Sequence, residues 1–152
     1  MRALKEALLR EYGSFADKRI KNIDKGSRFL VDDRHNGGLA SDGNPYGWFC
    51  SIVAEVADSE TVRVSLTNLP EGPSVAAWAD AMGVTGGSAR TELAVTPGSL
   101  DLLTGLAEAL RAIVAPGAPW YSTASYKYAC PRAADSIDRL ARTLAQAWSV
   151  ET

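Results

Sequence analysis

Apolar and polar positions divide the chain into eight predicted elements. Leu4, Leu8 and Tyr12 recur at i, i+4 and i+8, with Leu9 widening the stripe, which predicts a helix over 2–12. Gly13 follows as its stop. The polar, basic stretch 14–27 has only Phe15, Ile20 and Ile23 as apolar anchors, and RFLVD at 28–32 reads as a short strand. Trp48, Cys50, Ile52, Ala54 and Val56 alternate with Phe49, Ser51, Val53 and Glu55. Beyond the four residues ADSE, Val62, Val64 and Leu66 alternate with Arg63 and Ser65. Two alternating runs across a short turn predict an antiparallel hairpin with one apolar face.

The second half of the chain turns helical. Val75, Trp78, Ala79 and Met82 predict a helix over 74–82, stopped by Gly83. A fourth strand is expected over 90–95, bounded by Thr96-Pro97-Gly98. Ser99 is the expected N-cap of a strong helix whose stripe is Leu100, Leu103, Leu106, Ala107, Leu110, Ile113 and Val114. Pro116, Gly117 and Pro119 end it. After the aromatic segment Trp120, Tyr121, Tyr126 and Tyr128, a last helix is expected from about 131 to 148. Its stripe is Ile137, Leu140, Ala141, Leu144 and Trp148, with Asp135–Arg139 and Asp138–Arg142 as i,i+4 pairs on the outer face. The order α-β-β-β-α-β-α-α predicts an α+β domain: a three- or four-stranded, largely antiparallel sheet with helices on one face. Cys50, Ile52, Val62 and Val64 are expected to face helices 99–114 and 132–148.

Composition narrows the class. At 152 residues the chain suits a single globular domain over 1–152, and 46% hydrophobic with 22% charged residues excludes disordered, collagen-like and coiled-coil chains. No apolar run approaches the roughly 18–20 residues that span a bilayer, so no membrane partner is expected. The N-terminal pattern is broken by charges and lacks a signal peptide's apolar core. Two cysteines make no disulfide framework, and these features together favour a soluble, cytoplasmic protein. A single histidine excludes a multi-histidine metal site.

The net charge of −2 leaves no overall nucleic-acid footprint. Residues 1–35 nevertheless hold nine Lys/Arg against six Asp/Glu, with Lys18, Arg19, Lys21, Lys25 and Arg28 as the densest run. A solvated connector is the simpler account of that run.

Three places carry candidate chemistry. The 32–48 loop sets Asp32, Asp33, Arg34, His35 and Asn36 after a strand and Asp42, Asn44 and Tyr46 before the next, which opens at Trp48, a further candidate for binding. An acid beside a histidine orients the ring and raises its pKa, the usual support for acid–base work, and the intervening glycines allow close backbone approach. Turn chemistry alone also explains much of this loop. A metal site from Asp32, Asp33, His35 and Asp42 has no spacing template, so no metal and no cofactor are expected.

Cys130 precedes Pro131. If Pro131 is the first helical residue, Cys130 is the N-cap and its thiol pKa falls under the helix dipole and Arg132. An accessible, reactive nucleophile is then expected, against the background that free cysteine is commonly buried. Trp120, Tyr121, Tyr126 and Tyr128 can line a groove, with Tyr126 and Tyr128 on one face of an extended segment.

No Walker loop, dinucleotide fingerprint, nucleophile elbow or Cys-x-x-Cys occurs. The leading expectation is an accessory or interaction protein that binds a small molecule, peptide or partner protein through 32–48 and the aromatic segment 120–128. The alternative is a small cofactor-independent enzyme using His35, Asp33, Asp32 and Arg34. A nucleic-acid contact through 18–34 ranks last.

Overall fold

The computed structural model describes residues 2–13, 27–33, 51–67, 69, 72–84, 90–117 and 124–151. Its elements are α1 (Arg2–Tyr12), β1 (Arg28–Asp33), β2 (Ser51–Asp58), β3 (Thr61–Thr67), α2 (Pro73–Met82), β4 (Arg90–Val95), α3 (Asp101–Ile113) and α4 (Ala124–Glu151). The strands form one antiparallel sheet in the order β1-β2-β3-β4. The expected α+β architecture is therefore present, with four strands.

Alternation fixes which face of the sheet is covered. Ile52, Ala54, Val56, Val62, Val64, Leu66, Leu93 and Val95 are buried in one core with the inner faces of the helices. Their neighbours on the other face include Glu55, Arg63, Ser65 and Glu92, joined as Arg28–Glu55–Arg63 ion pairs and a Ser65–Glu92 hydrogen bond. Cross-strand pairs of opposite charge stabilise adjacent strands while keeping that face polar. The two runs pair as the expected antiparallel hairpin, with Val56 opposite Val62 and Ala54 opposite Val64. A bulge at Ala57 extends β2 to Asp58 and shortens the expected four-residue turn to Ser59 and Glu60. Cys50, the predicted continuation of the apolar face, lies outside the described residues.

α3 and α4 pack together through Leu103, Leu106, Leu110 and Ile113 on one side and Ile137, Leu140 and Leu144 on the other. The predicted i,i+4 pairs on α4 are replaced by contacts between helices. Asp135 and Asp138 both bind Arg111 of α3 at 2.7 Å, and Arg139 binds Glu11 of α1. The physical reason is reach: each charge flanks the buried stripe, where a neighbouring helix brings a partner close. Arg111→Ala is expected to cost no more than about 1 kcal/mol, because the pairs are solvent-screened. Urea denaturation checks this, and a loss of several kcal/mol would show that the pairs carry the packing.

α2 lies on α3. Ser74 Oγ donates to Ala109 O at 2.6 Å, and Trp78 Nε1 donates to Leu102 O at 3.1 Å. The Trp78 indole rests on Gly105, where an added Cβ would sit 3.2 Å from the ring. Gly83 ends α2 in the left-handed region, with its N–H near Ala79 O and Asp80 O. Met82 and Leu9, both placed on apolar stripes by sequence, are exposed: each lies at the margin of a stripe too narrow to cover it. Ser99 does not act as N-cap, since α3 begins after Leu100. Its Oγ instead accepts from Thr96 N at 2.8 Å and closes the Thr96–Ser99 turn.

α1 docks on α4 through Leu4, Leu8 and Tyr12. The Arg139 guanidinium lies 5.4 Å from the Tyr12 ring centroid. The buried Tyr12 hydroxyl has no hydrogen-bond partner among the described residues, and the nearby Thr143 hydroxyl donates to Arg139 O. Burial pushes the Tyr12 phenol up to about 12, against the opposing pull of Arg139. An unpaired buried hydroxyl costs about 1–3 kcal/mol. Tyr12→Phe is therefore expected to leave stability at neutral pH unchanged or raised. The phenol's proton is held more tightly in the folded than in the unfolded chain. The parent should therefore lose stability as pH rises from about 10 to about 12, and Tyr12→Phe should lack that component. Parallel urea titrations at pH 8 and pH 11 read both effects.

Candidate functional site

The site begins with an irregularity in β1. Leu30 pairs with Val53, and Asp32, two residues on, pairs with the adjacent Ile52, so Val31 is an extra residue. Simple alternation from Phe29 would turn Val31 inward and Asp32 outward. The bulge breaks this alternation: Val31 stays partly buried against the core, and Asp32 also joins Phe29 on the covered face, where it is buried. Bulges of this kind re-aim a side chain, and here the side chain brought under the helices is a carboxylate.

Two residues of α4 meet it. Ser136 Oγ donates to Asp32 Oδ2 at 2.9 Å, and the Arg132 guanidinium lies 3.9 Å from Oδ1. Positions 132 and 136 are one helical turn apart and share the flank of α4 that faces β1. The same flank continues to Arg139 and Thr143, beside α1. Burying a carboxylate is costly unless it is hydrogen-bonded and paired, so this contact both fastens the edge strand to α4 and holds a charge under the sheet's end.

The topology gathers several chain ends here. Asp33 pairs with Ser51 and Thr67 with Arg90, so β1 and β3 finish, and β2 and β4 begin, at the end that carries Asp32. α4 runs away from it, from Ser136 beside Asp32 to Trp148, whose Nε1 donates to Ser59 O at 3.0 Å beyond the β2 end. In sequence, residues 34–50 connect Asp33 to Ser51, and residues 118–123 lead into α4.

Of the residues nominated from sequence, Asp32 occupies a built polar contact. Asp33 is placed by its backbone pairing with Ser51, and its side chain is outside the described set. Arg34, His35, Asn36, Asp42, Tyr46, Trp48, Trp120 and Tyr121 lie outside the described residues. Tyr126 and Tyr128 fall within α4, whose helical backbone replaces the expected extended segment.

Cys130 also departs from expectation. α4 starts at Ala124, so Cys130 is interior to the helix, not its N-cap, and it is fully buried with Ala133, Ala134 and Ile137. The helix-terminus argument for an activated thiol does not apply at that position. Slow alkylation in the folded protein and fast alkylation after denaturation are expected.

The sequence offers no reason to single out Ser136, and it points to Arg132 only as a charge near Cys130. The one signal they share is an i,i+4 spacing on the flank of the last helix, which becomes meaningful once that helix lies against β1. Among the described residues, no group of three or more His, Cys, Asp or Glu side chains is placed to hold a metal. No described helix is long and apolar enough to cross a membrane. Comparisons with family models, curated proteins and solved structures find no match for the chain.

Proposed function

We propose that the protein is a non-catalytic binding module whose ligand docks at the sheet end carrying Asp32, Arg132 and Ser136. The bulge in β1 carries this reading, because it spends a regular ladder position to bring a carboxylate, beside the core-packed Val31, onto the face where alternation would leave it outside. Fastening β1 to α4 by apolar contact would need no bulge and no buried charge. Residues 34–50 join β1 to β2 at this same end, and in sequence they hold His35, Asn36, Asp42, Tyr46 and Trp48, the polar and aromatic residues nominated for binding, which supports the reading. The acid–base alternative lacks comparable support: the one hydrogen bond to Asp32 among the described residues comes from Ser136, a hydroxyl on a helix.

The test is a heteronuclear NMR screen of small polar molecules and short peptides against the labelled protein. Binders are expected to move the amide signals of Asp32, Arg132 and Ser136 together, and to lose that effect in Asp32→Asn. The asparagine carbonyl still accepts from Ser136, so the variant is expected to stay within about 1 kcal/mol of the parent. Binders whose shifts map elsewhere and survive Asp32→Asn would overturn the assignment.

A further inference from the structure

Asp32 and Arg132 form an opposed pair of unequal access. The carboxylate side chain is 5% exposed and the arginine side chain 64% exposed. Their 3.9 Å approach is too long for a hydrogen bond. Ser136 satisfies Asp32 Oδ2, while Oδ1 accepts no hydrogen bond among the described residues. Arg132 likewise donates none among them, although its planar fork carries five N–H groups. The site therefore offers one buried acceptor and one set of open donors, side by side and of opposite charge.

That arrangement discriminates between ligand charges. A lone cation drawn to Asp32 is repelled by Arg132 a few ångströms away, and a lone anion drawn to Arg132 is repelled by Asp32. A ligand with both charges on neighbouring atoms, laid head to tail, is attracted by both. We propose that the pair takes a free α-amino acid, its ammonium donating to Asp32 Oδ1 and its carboxylate accepting from the Arg132 guanidinium. Charge-assisted bonds of both kinds are the strong ones, and the Arg fork matches a carboxylate in two points. A peptide terminus carries just one of the two charges on its end residue, so the free amino acid is the better fit. This inference rests on the proposed binding role of the same sheet end.

The experiment is an NMR titration with each of the twenty amino acids, followed by the N-acetyl and the carboxamide forms of the best binder. At least one amino acid is expected to shift Asp32, Arg132 and Ser136 saturably. Each blocked form should bind at least tenfold more weakly, and Asp32→Asn and the exposed Arg132→Gln should each weaken the parent interaction similarly. If either blocked form binds as tightly as the free amino acid, one charge suffices and the amino-acid assignment is overturned, while the binding role stands. If no amino acid moves these residues but another polar molecule does, the assignment again fails alone. If no molecule of either panel moves them, both fail together.

Discussion

Leu140→Ala is expected to lower the free energy of unfolding by about 2–5 kcal/mol, the range for removing a fully buried leucine and leaving a cavity. Leu140 is fully buried on the inner stripe of α4, in the core shared by the helices and the sheet. Its neighbours along the stripe, Ile137 and Leu144, are equally buried, so the site cannot collapse by exposing a margin. Leu9→Ala, at a residue 47% exposed, should cost well under that, within about 0.5 kcal/mol. Urea denaturation with an unchanged slope reads the difference. Similar small losses for both would place the α3–α4 contact outside the cooperative core.

Pro131→Ala carries the second large effect, with the opposite sign. Pro131 lies inside α4, seven residues after Ala124, where it offers no N–H to the carbonyl four residues back and its ring crowds that carbonyl. An interior proline costs about 3 kcal/mol relative to alanine. Some of that is offset by the proline's lower entropy in the unfolded chain, so a gain of about 1–3 kcal/mol is expected for the variant. Were Pro131 the first helical residue, as its sequence neighbourhood implies, the same change would be neutral or slightly destabilising. The sign of the change in melting temperature decides whether α4 begins before or at the proline.

The contrast at Pro131 shows what is legible in this chain and what is not. Period-two alternation placed β2 and β3 and their buried faces, because each residue's face follows from its neighbours alone, while the bulge at Ala57 was not legible. The helical stripe of α3 was legible for the same reason. The start of α4 was not: a proline after a cysteine and an aromatic run reads as a helix entrance, and continuation through it depends on tertiary packing of Cys130, Ala133 and Ala134. The charges of α4 were assigned to one another at i,i+4, yet they serve Arg111 and Glu11 on other helices. Asp32 was nominated as a polar residue at a strand end. That it turns under the sheet depends on the bulge at Val31, which RFLVD does not announce, and on Ser136, whose closeness follows only from how α4 packs. Tyr12 shows the converse, a stripe residue correctly placed whose hydroxyl has no described partner.

The central claim is that the inward-turned Asp32 carboxylate is a binding group and not merely a fastening between β1 and α4. The most direct measurement is the melting temperature of the parent and of Asp32→Asn, each with and without the panel molecule that most stabilises the parent. A bound ligand raises stability by mass action, so the parent's melting temperature should climb with ligand concentration. The unliganded variant should melt close to the parent, and added ligand should leave it unmoved. A variant that melts far lower yet keeps the full ligand-dependent rise would contradict the account and leave Asp32 a structural residue.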